Sequence, residues 1–332
     1  MTRVVRFHEI GGPEVLRLED LEVGEPGPGE VRIRVDAIGV NRAEALFRSG
    51  LYIERVEHLP STLGNEAAGV IEAVGPGVTG FEEGQAVSVV PSFSHNDYGV
   101  YAERAIVPAS ALLPRAEDVD AVTGSAVWMP WLTAYGAMVE VAGMRAGDVA
   151  VVTAASSSVG LAAIQTADRL GAIPVAVTRS RDKRRRLLQE GAAEVIVSDE
   201  EDVPGRVLEV TGGRGAEFVF DAVAGPGVTD LARAVAADGT ILLWGAQSGL
   251  PTPYPGFDLG MPALNMRTYT MLEITRDPGR MRRTTAFVTS GLRTGSLRPV
   301  VDRLFPLEEV VEAHRYMESG TQFGKIVITV AH

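Results

Sequence analysis

The chain contains no cysteine among its 332 residues. Disulfides, thiolate nucleophiles and Cys-ligated zinc or iron–sulfur sites are therefore excluded. Histidine is scarce too: His8, His58, His95, His314 and His332 are scattered without ligand spacing. Positive charge is the minority sign. With 31 Lys and Arg against 43 Asp and Glu, the net charge is −12, which argues against nucleic acid as the main partner. No apolar run approaches a membrane span, and the chain begins directly on strand-like VVRF without a signal segment. Both observations lead to the expectation of a cytoplasmic protein. At this length two domains with sizeable cores are expected.

What is present centres on residues 148–188. Val149, Val151 and Val152 form a β-branched run that suits one buried parallel strand. A turn of small residues follows, Ala154, Ala155, Ser156, Ser157 and Ser158. Val159 and Gly160 then open a helix whose apolar positions Leu161, Ile164, Ala167 and Leu170 recur at helical spacing. Gly171 ends it, and Val175 to Thr178 gives a second strand. Strand, tight turn, helix and strand in about 30 residues have the size of a dinucleotide-binding unit.

The turn has the chemistry that a pyrophosphate needs. Unpaired backbone N–H groups and the positive end of the helix dipole coincide at a helix start, provided the side chains there are small. Ala154, Ala155, Ser156, Ser157 and Ser158 meet that demand, and cofactor contacts are expected from Ala155, Ser156, Ser157, Ser158 and Val159, although only Gly160 survives of a G-x-G-x-x-G pattern. The alternative is a serine-capped helix after a buried strand. At the end of the second strand, an NAD site places a carboxylate for the ribose 2′-OH. Here Thr178, Arg179 and Ser180 stand there, with Arg181 and Lys183 just beyond. A guanidinium suits a 2′-phosphate, so the cofactor inferred is NADPH. Arg184 to Arg186 read as the solvated start of a helix.

Before this unit, the first 107 or so residues alternate short strand patterns with Gly/Pro turns, the pattern of a partly open barrel. Residues 119–143 form a helical connection, and 92–98 a polar loop that holds His95, Asn96, Asp97 and Tyr98. Beyond the unit, strand and helix alternate: strands at 195–197, 218–222 and 241–245, helices at 203–211 and 226–236. A strand-like RTYTMLEI, a helix near 278–291, an amphipathic helix after Leu307 and a last strand KIVITV follow. Gly245 and Ala246 end one strand, and Asp221 to Val223 another, at the carboxyl edge where open α/β sheets bind ligands.

Several stretches, GVNRAEALFRSGLY, LGNEAAGVIEAVGPGV, AASSSVGLAAIQTADRLGA, TGGRGAEFVFDAVAG and FGKIVITV, occur in one family's order over nearly the whole chain. The sequence resembles the medium-chain dehydrogenase/reductase superfamily, and within it the zinc-independent NADPH:quinone oxidoreductase branch. The resemblance implies an α/β fold with a Rossmann-type doubly wound sheet at 125–275. It also implies a GroES-like barrel built from 1–124 and 276–332, with substrate in the cleft between. It implies a homodimer joined through the edge strand near 268–274. Zinc members of the superfamily take ligands at positions that here hold Asn41, Asn65 and Met129, none a good zinc ligand, so no metal is expected.

The resemblance also carries roles to single residues. Tyr52 would lie near the nicotinamide and donate to a developing oxyanion, or it is an aromatic lining the cleft. Asn41 would bond the nicotinamide ribose or a substrate oxygen, or it is a satisfied loop-end Asn. Thr133 would contact the nicotinamide side, or pack within its helix. Lys325 would lie near the cofactor, or on the surface, while Asn65 and Glu66 fix the cleft wall. The activity implied is metal-free hydride transfer from NADPH to quinones or α,β-unsaturated carbonyls. A dedicated enoyl reductase of thioester or polyketide-like substrates, and a nucleotide-binding protein without catalysis, remain as alternatives.

Overall fold

The computed structural model describes all 332 residues and divides into two compact units, Met1–Met129 with Pro299–His332, and Pro130–Arg298. The strands in chain order are β1 (Thr2–Phe7), β2 (Leu16–Leu21), β3 (Glu30–Val40), β4 (Ala67–Val74), β5 (Ala86–Val89), β6 (Arg104–Pro108) and β7 (Leu112–Pro114). There follow β8 (Val149–Val152), β9 (Ile173–Thr178), β10 (Glu194–Val197), β11 (Ala216–Asp221), β12 (Val235–Leu243), β13 (Leu264–Thr268), β14 (Val301–Pro306) and β15 (Lys325–Thr329). No helix is long and apolar enough to cross a membrane.

In the first unit a seven-stranded sheet runs β14-β15-β3-β4-β5-β7, with β6 also paired to β3, and β1 and β2 form a separate antiparallel pair. Val31, Ile33 and Val35 alternate inward along β3, the period-two pattern of a half-buried strand. They join Phe7, Phe47, Ile71, Val87, Tyr101 and Ile328 in one core. β3 changes register against β4 between Arg32 and Ile33 and again between Val35 and Ala37, irregularities that bend a strand. β15 pairs antiparallel to the end of β3, with Ile326 opposite Val40, which brings Lys325 to the strand end that precedes Asn41.

The second unit is a six-stranded sheet, order β10-β9-β8-β11-β12-β13, parallel throughout. All four residues of β8 are buried, as a strand covered on both faces requires. The helix Ser158–Leu170 follows β8 and leads into β9, the dinucleotide-type order that the sequence indicates.

The structure departs from the sequence reading at several points. The expected edge strand at 268–274 is not a strand: β13 covers Leu264–Thr268, and Leu272–Thr275 is a helical turn. Tyr269 is buried, and its hydroxyl donates to the Leu132 carbonyl at 2.5 Å, drawing the chain off the sheet edge. The expected helix at 226–236 shortens to Val228–Ala232, because the Ala216 N–H donates to the Ala234 carbonyl and draws the following residues into β12. The boundary expected at 276 moves to 299. The helix Pro278–Thr294 stays with the second unit, where Arg169 donates to Ser290 and Ser296 at 2.9 Å each and Arg283 pairs with Glu140.

Candidate active site and nucleotide-binding turn

In the first unit, β3 delivers Asn41 to the start of the helix Arg42–Arg48. Glu44, three residues on, reaches back to accept the Asn41 backbone N–H, one half of a capping box. The Asn41 carboxamide is fully engaged. Its Nδ2 donates to the Gly39 carbonyl at 3.0 Å and to Glu44 and Glu66 at 3.3 Å each. Its Oδ1 accepts from Lys325 Nζ at 2.6 Å. Lys325 also donates to Glu66 Oε2 at 2.6 Å, and Glu66 Oε1 accepts the Met129 backbone N–H at 2.8 Å. One buried ion pair thus ties together the ends of β3, β4 and β15 and the chain at Met129. Gly39 is needed for this approach, since a Cβ there would lie 2.0 Å from the Ser125 carbonyl and 2.8 Å from Lys325 Cε. Lys325 is 1% exposed, which disposes of the surface alternative.

Two buried carboxylates here share one ammonium. Burial pushes Glu44 up to about 8, and the opposing pull of Lys325 and of the Asn41 hydrogen bonds does not reverse it. Glu44 is therefore largely protonated at neutral pH. Its unfolded-state value is near the ordinary carboxylate one, so the folded state binds the proton more tightly. Stability on this account is full below about pH 4 and declines as pH rises through 8. Thermal melts between pH 5 and 9 should show that decline, and Glu44→Gln should flatten it. An unchanged slope in the variant would contradict the assignment.

These same positions answer the question of zinc. Asn41, Asn65 and Met129 offer amide oxygens and a thioether, and a buried ammonium already holds the Asn41 oxygen. Zinc wants imidazole, thiolate or carboxylate ligands free of such competition, so these residues do not fit the ion. No group of three or more His, Cys, Asp or Glu could hold a metal elsewhere in the chain. The Asn65 Oδ1 is buried and has no hydrogen-bond partner.

Tyr52 follows the same helix. Its phenol is raised to about 12, by burial first and then by Glu44 and Glu54, so it stays an O–H donor across the working pH range. That hydroxyl makes no hydrogen bond within the chain, and the ring meets His95 edge-on. A protonated, uncommitted donor is what a developing oxyanion requires.

In the second unit, the turn after β8 is held from below. Thr153 donates to the buried Asp221 at 2.5 Å and accepts the Ala222 N–H at 3.0 Å, while Asp221 accepts from the Val223 and Ala224 N–H groups. Asp221 thus clamps the ends of β8 and β11. Ala154 sits at φ 45°, a conformation few side chains adopt. Ser157 caps the helix by accepting from the Gly160 N–H at 3.0 Å. The N–H groups of Ser156, Ser158 and Val159 are left without partners in the chain, at the start of a 13-residue helix. That is the donor set for a pyrophosphate. A Cβ on Gly160 would lie 2.6 Å from the Ala154 carbonyl, so only glycine lets the helix approach the turn.

At the end of β9, Thr178 is buried and Arg179 is exposed without an ion pair, whereas Arg181 is taken by Glu200 at 2.9 Å. Ser180 precedes the short turn Arg181–Lys183 without a side-chain capping bond. Lys183 Nζ donates to Ser156 Oγ at 3.0 Å and so joins the expected phosphate residues to the turn. Lys183 and Lys325 are the only lysines in the chain. Val223, Gly245 and Ala246 follow β11 and β12 at the carboxyl edge of the sheet. Thr133 is buried in the helix Trp128–Tyr135. Sequence reasoning passed over Glu44, although the N-x-x-E spacing of Asn41 and Glu44 is a visible capping signal.

Comparison with known proteins agrees with this architecture. The family model described as alcohol dehydrogenase GroES-like domain matches residues 27–117, and that described as zinc-binding dehydrogenase matches 190–328. A quinone oxidoreductase of Pseudomonas aeruginosa is 32% identical over 99% of both chains. A 2-haloacrylate reductase of a Burkholderia species is 28% identical over 99% of both. The crystal structure of Escherichia coli quinone oxidoreductase complexed with NADPH superposes with a TM-score of 0.92 at 26% identity, covering 99% of this chain and all of that one.

Proposed function

We propose, from the fact that this chain belongs to the quinone oxidoreductase branch of the medium-chain dehydrogenase/reductase superfamily, that it reduces quinones or α,β-unsaturated carbonyl compounds with NADPH. The observation that carries the reading is the pairing of an uncommitted, protonated Tyr52 with a ligand set unfit for zinc. Alcohol oxidation needs an alkoxide that a metal stabilises by several kcal/mol. An acceptor that is already electrophilic needs only a hydrogen bond where its oxygen gains charge.

When bound, NADPH supplies the hydride. The N–H groups of Ser156, Ser158 and Val159 hold its pyrophosphate, and Arg179 with Lys183 recognises the 2′-phosphate. Tyr52 donates to the substrate oxygen. Asn41 and Lys325 hold one another in the first unit through their 2.6 Å hydrogen bond. The 2-haloacrylate reductase among the relatives supports a conjugated alkene as acceptor class.

A spectrophotometric panel tests this. NADPH oxidation should proceed with 1,4-benzoquinones or 2-enones and not with simple saturated ketones. No turnover on any activated acceptor would defeat the reading. Arg179→Asp should weaken NADPH relative to NADH by roughly 10- to 100-fold, the worth of a charge-assisted hydrogen bond. Unchanged KM values for both nucleotides would remove Arg179 from the 2′-phosphate site.

A further inference from the structure

The loop at 92–98 carries a cluster that the chemistry above leaves unused. At its centre His95 is 2% exposed. One face of the imidazole stacks on Phe47, centroids 5.0 Å apart, and the Tyr52 ring meets it edge-on at 5.7 Å. Nδ1 lies 3.8 Å from the Glu54 carboxylate, while Nε2 is buried with no hydrogen-bond partner.

Glu54 is fixed in place. It accepts from the Ser94 hydroxyl, from the His95 backbone N–H at 3.3 Å and from Asn96 Nδ2 at 3.2 Å. Asn96 in turn accepts the Glu57 N–H and donates to the Arg55 carbonyl, both at 2.9 Å, so the loop is pinned to the segment that follows Tyr52. The nearby His95 ring, then the hydrogen bonds from Ser94, the His95 backbone and Asn96, hold Glu54 down to about 2. The carboxylate is ionised throughout the working range. Leaving a buried ring nitrogen without a partner is costly, yet the pinned loop holds it there. Carboxylate, imidazole and phenol thus stand in succession, with Glu54 3.8 Å from Nδ1 and the Tyr52 ring in edge contact with the imidazole, and such a set of groups is what proteins use to move a proton to a reacting centre.

We propose that His95, oriented by Glu54, is a positioning residue that returns to Tyr52 the proton the phenol gives up to substrate. This rests on the reductase reading above. The hydride and its electron pair come from the nicotinamide cofactor, and the proton comes from the chain. The Tyr52 O–H bond breaks as the substrate O–H bond forms. The Nε2–H bond of the His95 imidazolium breaks as the phenol O–H bond is restored. The ring recovers its proton from solvent before the next turnover. Besides Glu54, the titratable group bearing on the phenol is Glu44, which burial keeps largely protonated at neutral pH.

The test compares wild type with His95→Phe, Glu54→Gln, Tyr52→Phe and the Tyr52→Phe/His95→Phe double variant. Phenylalanine keeps the stacking on Phe47 and the edge contact but carries no nitrogen. Measured at saturating NADPH and quinone in H2O and D2O, kcat of His95→Phe should fall by about 10-fold or more with KM for NADPH unchanged. Its solvent isotope effect should rise. Glu54→Gln should move the same way by less, and the double variant should be no slower than Tyr52→Phe alone. Wild-type kcat and isotope effect in His95→Phe would overturn the proposal, as would effects that multiply in the double variant. If His95→Phe does not fold, wild-type kcat in Glu54→Gln overturns it equally. Absence of turnover in the wild type itself would instead refute the reductase reading.

Discussion

Tyr52→Phe should lower kcat with quinone or enone acceptors by about 10²- to 10³-fold, equivalent to about 2.7–4 kcal/mol of lost oxyanion stabilisation. The phenol is half-buried, uncommitted within the chain and kept protonated by burial and by Glu44 and Glu54. Its hydrogen bond to the substrate oxygen strengthens only as charge develops there, so the loss belongs in kcat. KM for NADPH should stay within about twofold, because the turn proposed to hold the nucleotide lies in the other unit. Since the substitution removes one atom and no internal hydrogen bond, the melting temperature should hardly change. A fall in kcat of less than threefold would reduce Tyr52 to an aromatic wall residue.

The largest effect on stability is expected at Lys325. Lys325→Met removes the only cation paired with Glu66, which is fully buried, and strips the donor from Asn41 Oδ1. Breaking a buried pair by deleting one partner costs about 3–5 kcal/mol, because a charge is left uncompensated. For a protein of this size that is a fall in Tm on the order of 10 °C. Lys325→Met/Glu66→Gln should recover part of the loss, because the stranded carboxylate is then gone. An exposed lysine would change stability by no more than about 0.5 kcal/mol. A melt of the single variant within a degree of wild type would show that the ion pair does not hold these segments together.

Local signals made the nucleotide unit legible. The valines of β8, the serine cap, the helical recurrence from Leu161 to Leu170 and Gly171 all act within a few residues of one another, and the structure keeps each of them. Arg179 standing where a carboxylate would otherwise be is likewise a local observation. The buried network of the first unit was less accessible. Lys325 meets Glu66 and Asn41 across more than 250 positions, so nothing near FGK distinguishes a buried ammonium from a surface one. The Glu54–His95 pair was hidden for the same reason, its members lying on two loops that only folding joins. RTYTMLEI misled because its β-branched and aromatic residues suit a strand, while the buried hydroxyl of Tyr269 takes the chain elsewhere. Residues 235 and 236, the end of the helix expected over 226–236, misled in the opposite sense. Val235-Ala236-Ala237 looks helical alone, and its extension comes from pairing with β11.

The central claim is that hydride transfer here needs no metal because Asn41, Asn65 and Met129 stand where zinc ligands would, and Lys325 already holds the Asn41 oxygen. Its most direct test is turnover of NADPH with 1,4-benzoquinone and with a 2-enone, on protein dialysed exhaustively against a chelator and assayed with and without added zinc. The account predicts the same kcat in every arm and no metal bound at stoichiometric level. Activity lost on chelation and restored by zinc would contradict it.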